Sequence, residues 1–234
     1  MRLPHHSIAH LGTARIALAC CLAMLCCSHP AFAQSIVLAP SEVRRWDVTG
    51  SAGWLAANKS RVAEDWNDWY DTFAASLDVG HYWTPHFKTD ASVLITTEAT
   101  VYSHQDYRLP GENASIFVPR EHHFRVTAAS ATATWQFLEN TWVHPFLAAG
   151  VQFTNERERA FSHDVQYFRR DLTGSEIPIE PPRQATVFSV RPLVAGGAKF
   201  YVNERGFIRS ELGVAWYEGG VANVTWRAGV GVDF

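Results

Sequence analysis

Apolar–polar alternation that recurs after residue 40, connections whose lengths alternate, and aromatic residues near strand ends predict an all-β chain. The class they point to is a membrane-spanning, antiparallel up-and-down barrel of eight strands, with its greasy rows turned to hydrocarbon. The last eleven residues, VTWRAGVGVDF, state the pattern most plainly. Val224, Trp226, Ala228, Val230, Val232 and Phe234 form an apolar row, and Thr225, Arg227, Gly229, Gly231 and Asp233 stand between them.

Residues 1–33 read as a cleaved secretory signal peptide. Arg2 and Arg15 flank the apolar run from Ile16 to Cys26, and Ala31-Phe32-Ala33 offers a small-x-small site that places cleavage between Ala33 and Gln34. That run is too short for a spanning helix, which takes about 20 residues. The four cysteines all lie in this leader, in surroundings that suit lipidation poorly. The mature chain then has neither disulfides nor thiolate ligands. Losing both leader arginines leaves 18 basic and 23 acidic residues, a net charge of −5, which is no nucleic-acid footprint. The expected domains are 1–33 signal peptide, 34–42 periplasmic segment and 43–234 barrel.

The strands follow in order. A first is expected near Arg44–Ala57. The second carries Phe73, Ala75, Leu77, Val79 and His81, and the third Phe87, Thr89, Ala91, Val93, Ile95, Thr97, Ala99 and Val101 across the turn Thr84-Pro85-His86. A fourth is expected near His122–Phe137. Pro145, Leu147, Ala149, Val151 and Phe153 mark the fifth, Phe188 to Phe200 the sixth, and Ile208, Ser210, Leu212, Val214 and Trp216 the seventh. The fourth strand changes parity between Phe124-x-Val126-x-Ala128 and Ala131-x-Ala133-x-Trp135, so a bulge is expected near 128–131. Pro192 predicts another bulge or a gap in the sixth.

The connections are read at 58–68, 84–86, 103–121, 138–141, 154–184, 203–205 and 218–222, long and short by turns. Outer-membrane barrels show this asymmetry, with short periplasmic turns and longer external loops. Trp46, Trp83, Phe87, Trp135, Phe137, Trp142, Phe200, Phe207 and Phe234 are expected at the periplasmic rim. Trp54, Trp69, Tyr102, Phe124, Phe153, Phe188, Trp216 and Trp226 are expected at the outer rim.

The opposite rows would face the lumen. They offer Arg45, Lys88, Arg125, Arg191, Lys199, Arg209 and Arg227 against Asp47, Asp78, Asp90, Glu98, Glu211 and Asp233. Eight strands leave an interior that side chains fill, so these charges are expected to pair into a plug. The alternative is a narrow, charge-lined channel for ions or small solutes.

The chain resembles the OmpA/OmpW-like superfamily of small outer-membrane barrels, over about residues 40–234. HPFLAAGVQF at 144–153, VRPLVAGGAKFYVNERGFIRSELGV at 190–214 and the terminal VTWRAGVGVDF carry the resemblance. It implies a porin-like cell-envelope protein of a Gram-negative bacterium, in the outer membrane with both termini periplasmic. It also implies that Phe234, supported by Val232, Val230, Ala228 and Trp226, is the signal read by the barrel-assembly machinery. The other expected partners are outer-membrane lipid and lipopolysaccharide, with the protein a monomer.

Candidate chemistry is sparse. Ser103-His104 and Ser162-His163 are adjacent in sequence, whereas a nucleophile and its base must meet in space with an orienting acid. No catalytic residue and no enzyme activity is expected, a lipid-modifying enzyme being the least favoured alternative. His122 and His123 point to opposite faces of a strand and read as solvated loop histidines, so no metal and no cofactor is expected. The 154–184 loop mixes Arg157, Arg159, Arg169 and Arg170 with acids and displays Phe161, Tyr167 and Phe168. These are its candidate contacts with lipopolysaccharide or a partner. The leading expectation is a structural or surface-interaction barrel, strands anchoring and loops touching.

Overall fold

The computed structural model describes residues 45–58, 69–108, 115–138, 142–162, 182–218 and 220–234, with backbone alone at 103–108, 115–119 and 162. Among them every regular element is a strand. In chain order these are β1 (Trp46–Asn58), β2 (Trp69–Tyr82), β3 (Phe87–Thr96), β4 (Ala99–Arg108) and β5 (Ser115–Gln136). Then follow β6 (Val143–Ser162), β7 (Arg183–Tyr201), β8 (Gly206–Tyr217) and β9 (Gly220–Asp233). β3 and β4 lie end to end along β5 and count as one wall strand. β9 pairs back onto β1, Trp226 opposite Trp54 and Val232 opposite Val48, so the wall is a closed antiparallel barrel of eight strands. The predicted signal peptide, the Ala33–Gln34 cleavage point and the 34–42 segment lie outside the described residues.

The seam is completed at the end where Trp46 opens β1 and Phe234 follows β9, the terminal end. There the Phe234 N–H donates to the Trp46 carbonyl at 2.8 Å, and the Trp46 N–H to the Phe234 carbonyl at 3.0 Å. Period-two alternation puts Leu77, Val93, Leu147, Val194 and Val230 on the outer surface, all exposed. A water-soluble monomer does not carry a continuous apolar belt of this size, so the barrel spans a membrane. Trp46, Trp83, Trp135, Trp142, Phe200 and Phe234 edge the belt at the terminal end. At the other, loop end, Trp54 stacks on Trp226 at 5.9 Å and meets Phe73 edge-on at 6.0 Å. Eight residues separate Trp46 from Trp54, roughly 20 Å along the membrane normal for a tilted strand, close to the height of an apolar band.

The register departs from expectation in three places. β5 has no bulge: its ladders to β3 and β6 run unshifted, with Phe124, Val126, Ala128, Ser130, Thr132 and Thr134 all on the inner parity. The apolar residues at its loop end face inward because that part of the lumen is apolar. The irregularity lies instead between β3 and β4. There Thr97 and Glu98 are both exposed, so the parity resets, sending Ala99 inward and Thr100 outward. Thr72 on β2 pins the break, its hydroxyl donating to the Thr97 carbonyl at 2.8 Å while the Thr97 N–H donates to the Phe73 carbonyl at 2.9 Å. A second irregularity, unforeseen, falls at Ala215/Trp216 of β8. Pro192 stays in register with Val151 of β6, and pairing with β8 begins only at Leu193, so the local gap is a ladder that starts one residue later.

The connections 103–121 and 154–184 are shorter than expected, because β4, β5, β6 and β7 all run further. Phe124 and Phe207, expected at the rims, are both buried in the lumen.

Candidate functional site

The lumen at the terminal end is built around Asp47. Its carboxylate accepts from Lys88 Nζ at 2.8 Å, from the Tyr82 hydroxyl at 3.1 Å, and from Lys199 Nζ. Lys88 also donates to Asp90 at 2.5 Å, and Thr134 to the second oxygen of Asp90 at 2.6 Å. Lys199 lies 3.5 Å from Asp233, which also accepts from the Tyr201 hydroxyl. The ammonium of Lys199 sits 3.9 Å from the centre of the Phe207 ring, a cation–π contact that explains why an aromatic was drawn inward. Two glycines make the room. A Cβ on Gly231 would come within 2.3 Å of the Phe207 ring, and one on Gly80 within 2.2 Å of Asp47 Oδ1.

One layer further in, Glu211 accepts from Arg227 Nε at 3.0 Å and Nη2 at 2.6 Å, and from Arg209. Arg227 reaches Asp78 at 2.9 Å, and Arg209 lies over the Phe146 ring at 4.7 Å. A cavity of about 20 Å³ lies beside this layer, lined by Ser92, Ser130, Gln152, Glu211, Thr225 and Arg227. That is room for about one water.

Towards the loop end the inward positions turn apolar. Leu55, Ala57, Tyr70, Ala74, Leu94, Ala99, Phe124, Val126 and Ala128 form one cluster, with Tyr70 stacked on Phe124 at 4.7 Å. Above and beside it Arg191 pairs with Glu156 at 2.8 Å, and His122 with Glu158 at 2.7 Å.

Of the expected lumen charges, Asp47, Asp78, Lys88, Asp90, Arg191, Lys199, Arg209, Glu211, Arg227 and Asp233 are inside, held in these contacts. Three are not. Arg45 is exposed at the terminal rim, just before β1. Glu98 is exposed because of the parity reset at the β3–β4 break, and Arg125 because β5 has no bulge. Glu156, Glu158 and His122 belong to the lumen and were not foreseen there. The signal was present: Gln152, Thr154, Glu156 and Glu158 continue the inward parity of Phe146 and Ala148.

Arg157, Arg159 and Phe161, expected in a loop, stand on β6 with their side chains exposed on the outer surface. Tyr167, Phe168, Arg169 and Arg170 lie outside the described residues. His122 and His123 do face opposite ways, but as strand residues with carboxylate partners. His123 Nδ1 is 2.8 Å from Glu98 and Nε2 is 3.1 Å from Glu121. No grouping of three or more His, Cys, Asp or Glu that could hold a metal occurs among the described residues. Ser103-His104 falls on β4, where backbone alone is described, and the side chains of Ser162-His163 also lie outside the described residues. Trp226, Ala228, Val230, Val232 and Phe234, the expected assembly signal, form the outward row of the closing strand.

No protein-family model and no curated protein matches the sequence. Solved structures do match. The β-barrel domain at the N-terminus of Pseudomonas aeruginosa OprF superposes with a TM-score of 0.47 at 15% identity, covering 82% of this chain and 98% of that one. Neisserial surface protein A superposes with a TM-score of 0.51 at 16% identity, covering 81% of this chain and 97% of that one. In fold, the chain is a small eight-stranded barrel of the outer-membrane type.

Proposed function

We propose that this chain is an outer-membrane anchor for a surface-exposed β-ridge that contacts lipopolysaccharide, without enzymatic activity and without a conducting pore. Both termini then lie on the periplasmic side. The observation that carries the reading is the unequal height of the wall. β5, β6 and β7 continue well past the aromatic belt at the loop end, pairing as far as Arg120↔Ser162 and Ala160↔Arg183. β8 and β9 turn at Tyr217↔Gly220, near the belt, and the terminal end is finished by short turns such as 83–86 and 202–205. A ridge on one side of a membrane anchor is a surface for contact. The packed lumen supports the non-conducting part, since ions would have to displace interlocked charges and then an apolar cluster.

The test has three arms. Detergent-purified protein should capture fluorescent lipopolysaccharide, and planar bilayers containing it should show no stable unitary conductance. Lipid A mass spectra should be unchanged by expression. Failure to capture lipopolysaccharide overturns the contact reading. A steady conductance abolished by charge swaps at Arg191 or Glu211 would replace it with the channel.

A further inference from the structure

The ridge sorts its charges by face. In the stretch Asn155-Glu156-Arg157-Glu158-Arg159-Ala160 the strand alternation turns both glutamates into the lumen and both arginines outward. Inside, Glu156 is paired with Arg191 and Glu158 with His122. Outside, Arg157 stands directly across the ladder from Arg125, and Arg159 is two residues further along the same face. All three are exposed, and none makes an ion pair among the described residues. Arg157 has a neutral partner: with the Gln184 amide turned so that its oxygen faces the guanidinium, that oxygen accepts from Nε at 3.0 Å and Nη2 at 2.7 Å. The outward carboxylates Glu98 and Glu121 are both held by His123.

Like charges directly opposite one another on a sheet are destabilising unless something negative lies between them. Among the described residues each basic side chain of the lumen meets a carboxylate, whereas these three outward arginines make no ion pair. Their height indicates the ligand. Arg157 is four residues beyond the lipid-facing Phe153, about 10 Å along the membrane normal, which is where headgroups replace hydrocarbon. Exposed Phe188 and Val190 lie below on the neighbouring strand, opposite Asn155 and Phe153. An anion seated on the arginines would have apolar wall directly beneath it for an acyl chain.

From this geometry we infer that Arg125, Arg157 and Arg159 form a phosphate-binding site for a phosphorylated outer-leaflet glycolipid. The guanidiniums grip the phosphate oxygens in forked, charge-assisted hydrogen bonds, and the acyl chains lie along Phe153 and Phe188. The site deepens the lipopolysaccharide-contacting reading above and rests on it. It differs from a loop-borne contact in lying on the rigid wall.

The experiment uses the full chain in phosphatidylcholine vesicles. Binding is measured for bis-phosphorylated lipid A, for the same lipid after enzymatic dephosphorylation, and for inorganic phosphate. Wild type should prefer the phosphorylated lipid by about tenfold or more, and the triple variant R125Q/R157Q/R159Q should lose that preference. The triple lysine variant should keep part of it. Unheated gel mobility, unchanged in both variants, confirms a folded barrel. A triple glutamine variant that binds phosphorylated lipid as tightly as wild type overturns the site and leaves the surface reading standing. Wild type that captures no lipopolysaccharide or lipid A at all overturns both. Equal competition by inorganic phosphate at millimolar concentration overturns the assignment to a lipid phosphate.

Discussion

In the terminal half of the barrel, inward positions hold interlocked charge; in the loop half the same parity holds Leu55, Tyr70, Phe124 and Val126, with the Arg191–Glu156 and His122–Glu158 pairs above and beside them. The outer surface changes in the opposite sense, from the aliphatic belt to Arg125, Arg157 and Arg159. Along β5 the alternation therefore reverses: Phe124 and Val126 point inward and Arg125 outward, whereas nearer the terminal end Ser130 and Thr132 point inward and Ala131 and Ala133 outward. Facing inward does not make a position polar, and facing outward does not make it greasy. What decides is the medium at that height: hydrocarbon outside the lower wall and, on the proposed reading, headgroups and water outside the ridge.

That contrast can be broken from either side. The largest effect is expected from Asp47→Ala, which leaves Lys88 and Lys199 facing each other without their shared carboxylate in a water-poor lumen. Urea unfolding of the bilayer-inserted protein should show a loss of about 3–5 kcal/mol. Adding Lys199→Met should recover part of it, and a loss under about 1 kcal/mol in the single variant would mean that the lower lumen is well hydrated. Phe124→Ala removes one ring of the Tyr70 stack and should cost about 3 kcal/mol in the same assay, with no change in salt sensitivity. If that loss instead varied steeply with ionic strength, the loop half would owe its stability to charge as well. Gly231→Ala pushes a methyl into the Phe207 ring and should cost about 2 kcal/mol, by overpacking rather than by breaking a pair. Arg125→Gln should change stability by no more than about 0.5 kcal/mol, since it removes an exposed charge with no partner. A large stability loss there would mean that the arginine holds the wall together.

The same contrast explains how far the sequence could be read. The outward rows of β2, β6, β7 and β9 were legible, because within the hydrocarbon zone apolar means lipid-facing. Phe124, Val126 and Ala128 misled for the same reason. Read as lipid-facing, they demanded a bulge that β5 does not have, and Arg125 was turned inward with it. The break at Thr97–Glu98 left no mark in the alternation, because Ala99 and Val101 suit either face. It is set by the hydrogen bond from the Thr72 hydroxyl to the Thr97 carbonyl and the one from the Thr97 N–H to the Phe73 carbonyl, Thr72 and Phe73 both standing on another strand. Of the lumen, the residue types were legible but the partners were not. That Asp47 serves both Lys88 and Lys199 depends on cross-barrel distances that no local pattern encodes. Phe207 went inward for a cation contributed by another strand, and Gly231 is small to admit it.

The seam between β1 and β9 carries a kinetic consequence. The strands that meet there come from opposite ends of the barrel-forming sequence, so this pairing closes the longest loop and has the highest entropic threshold. Until it forms, two rows of backbone donors and acceptors stay open, and hydrocarbon offers neither of them a partner. Insertion and ring completion must therefore be concerted, with the partly assembled sheet shielded until its two edges meet.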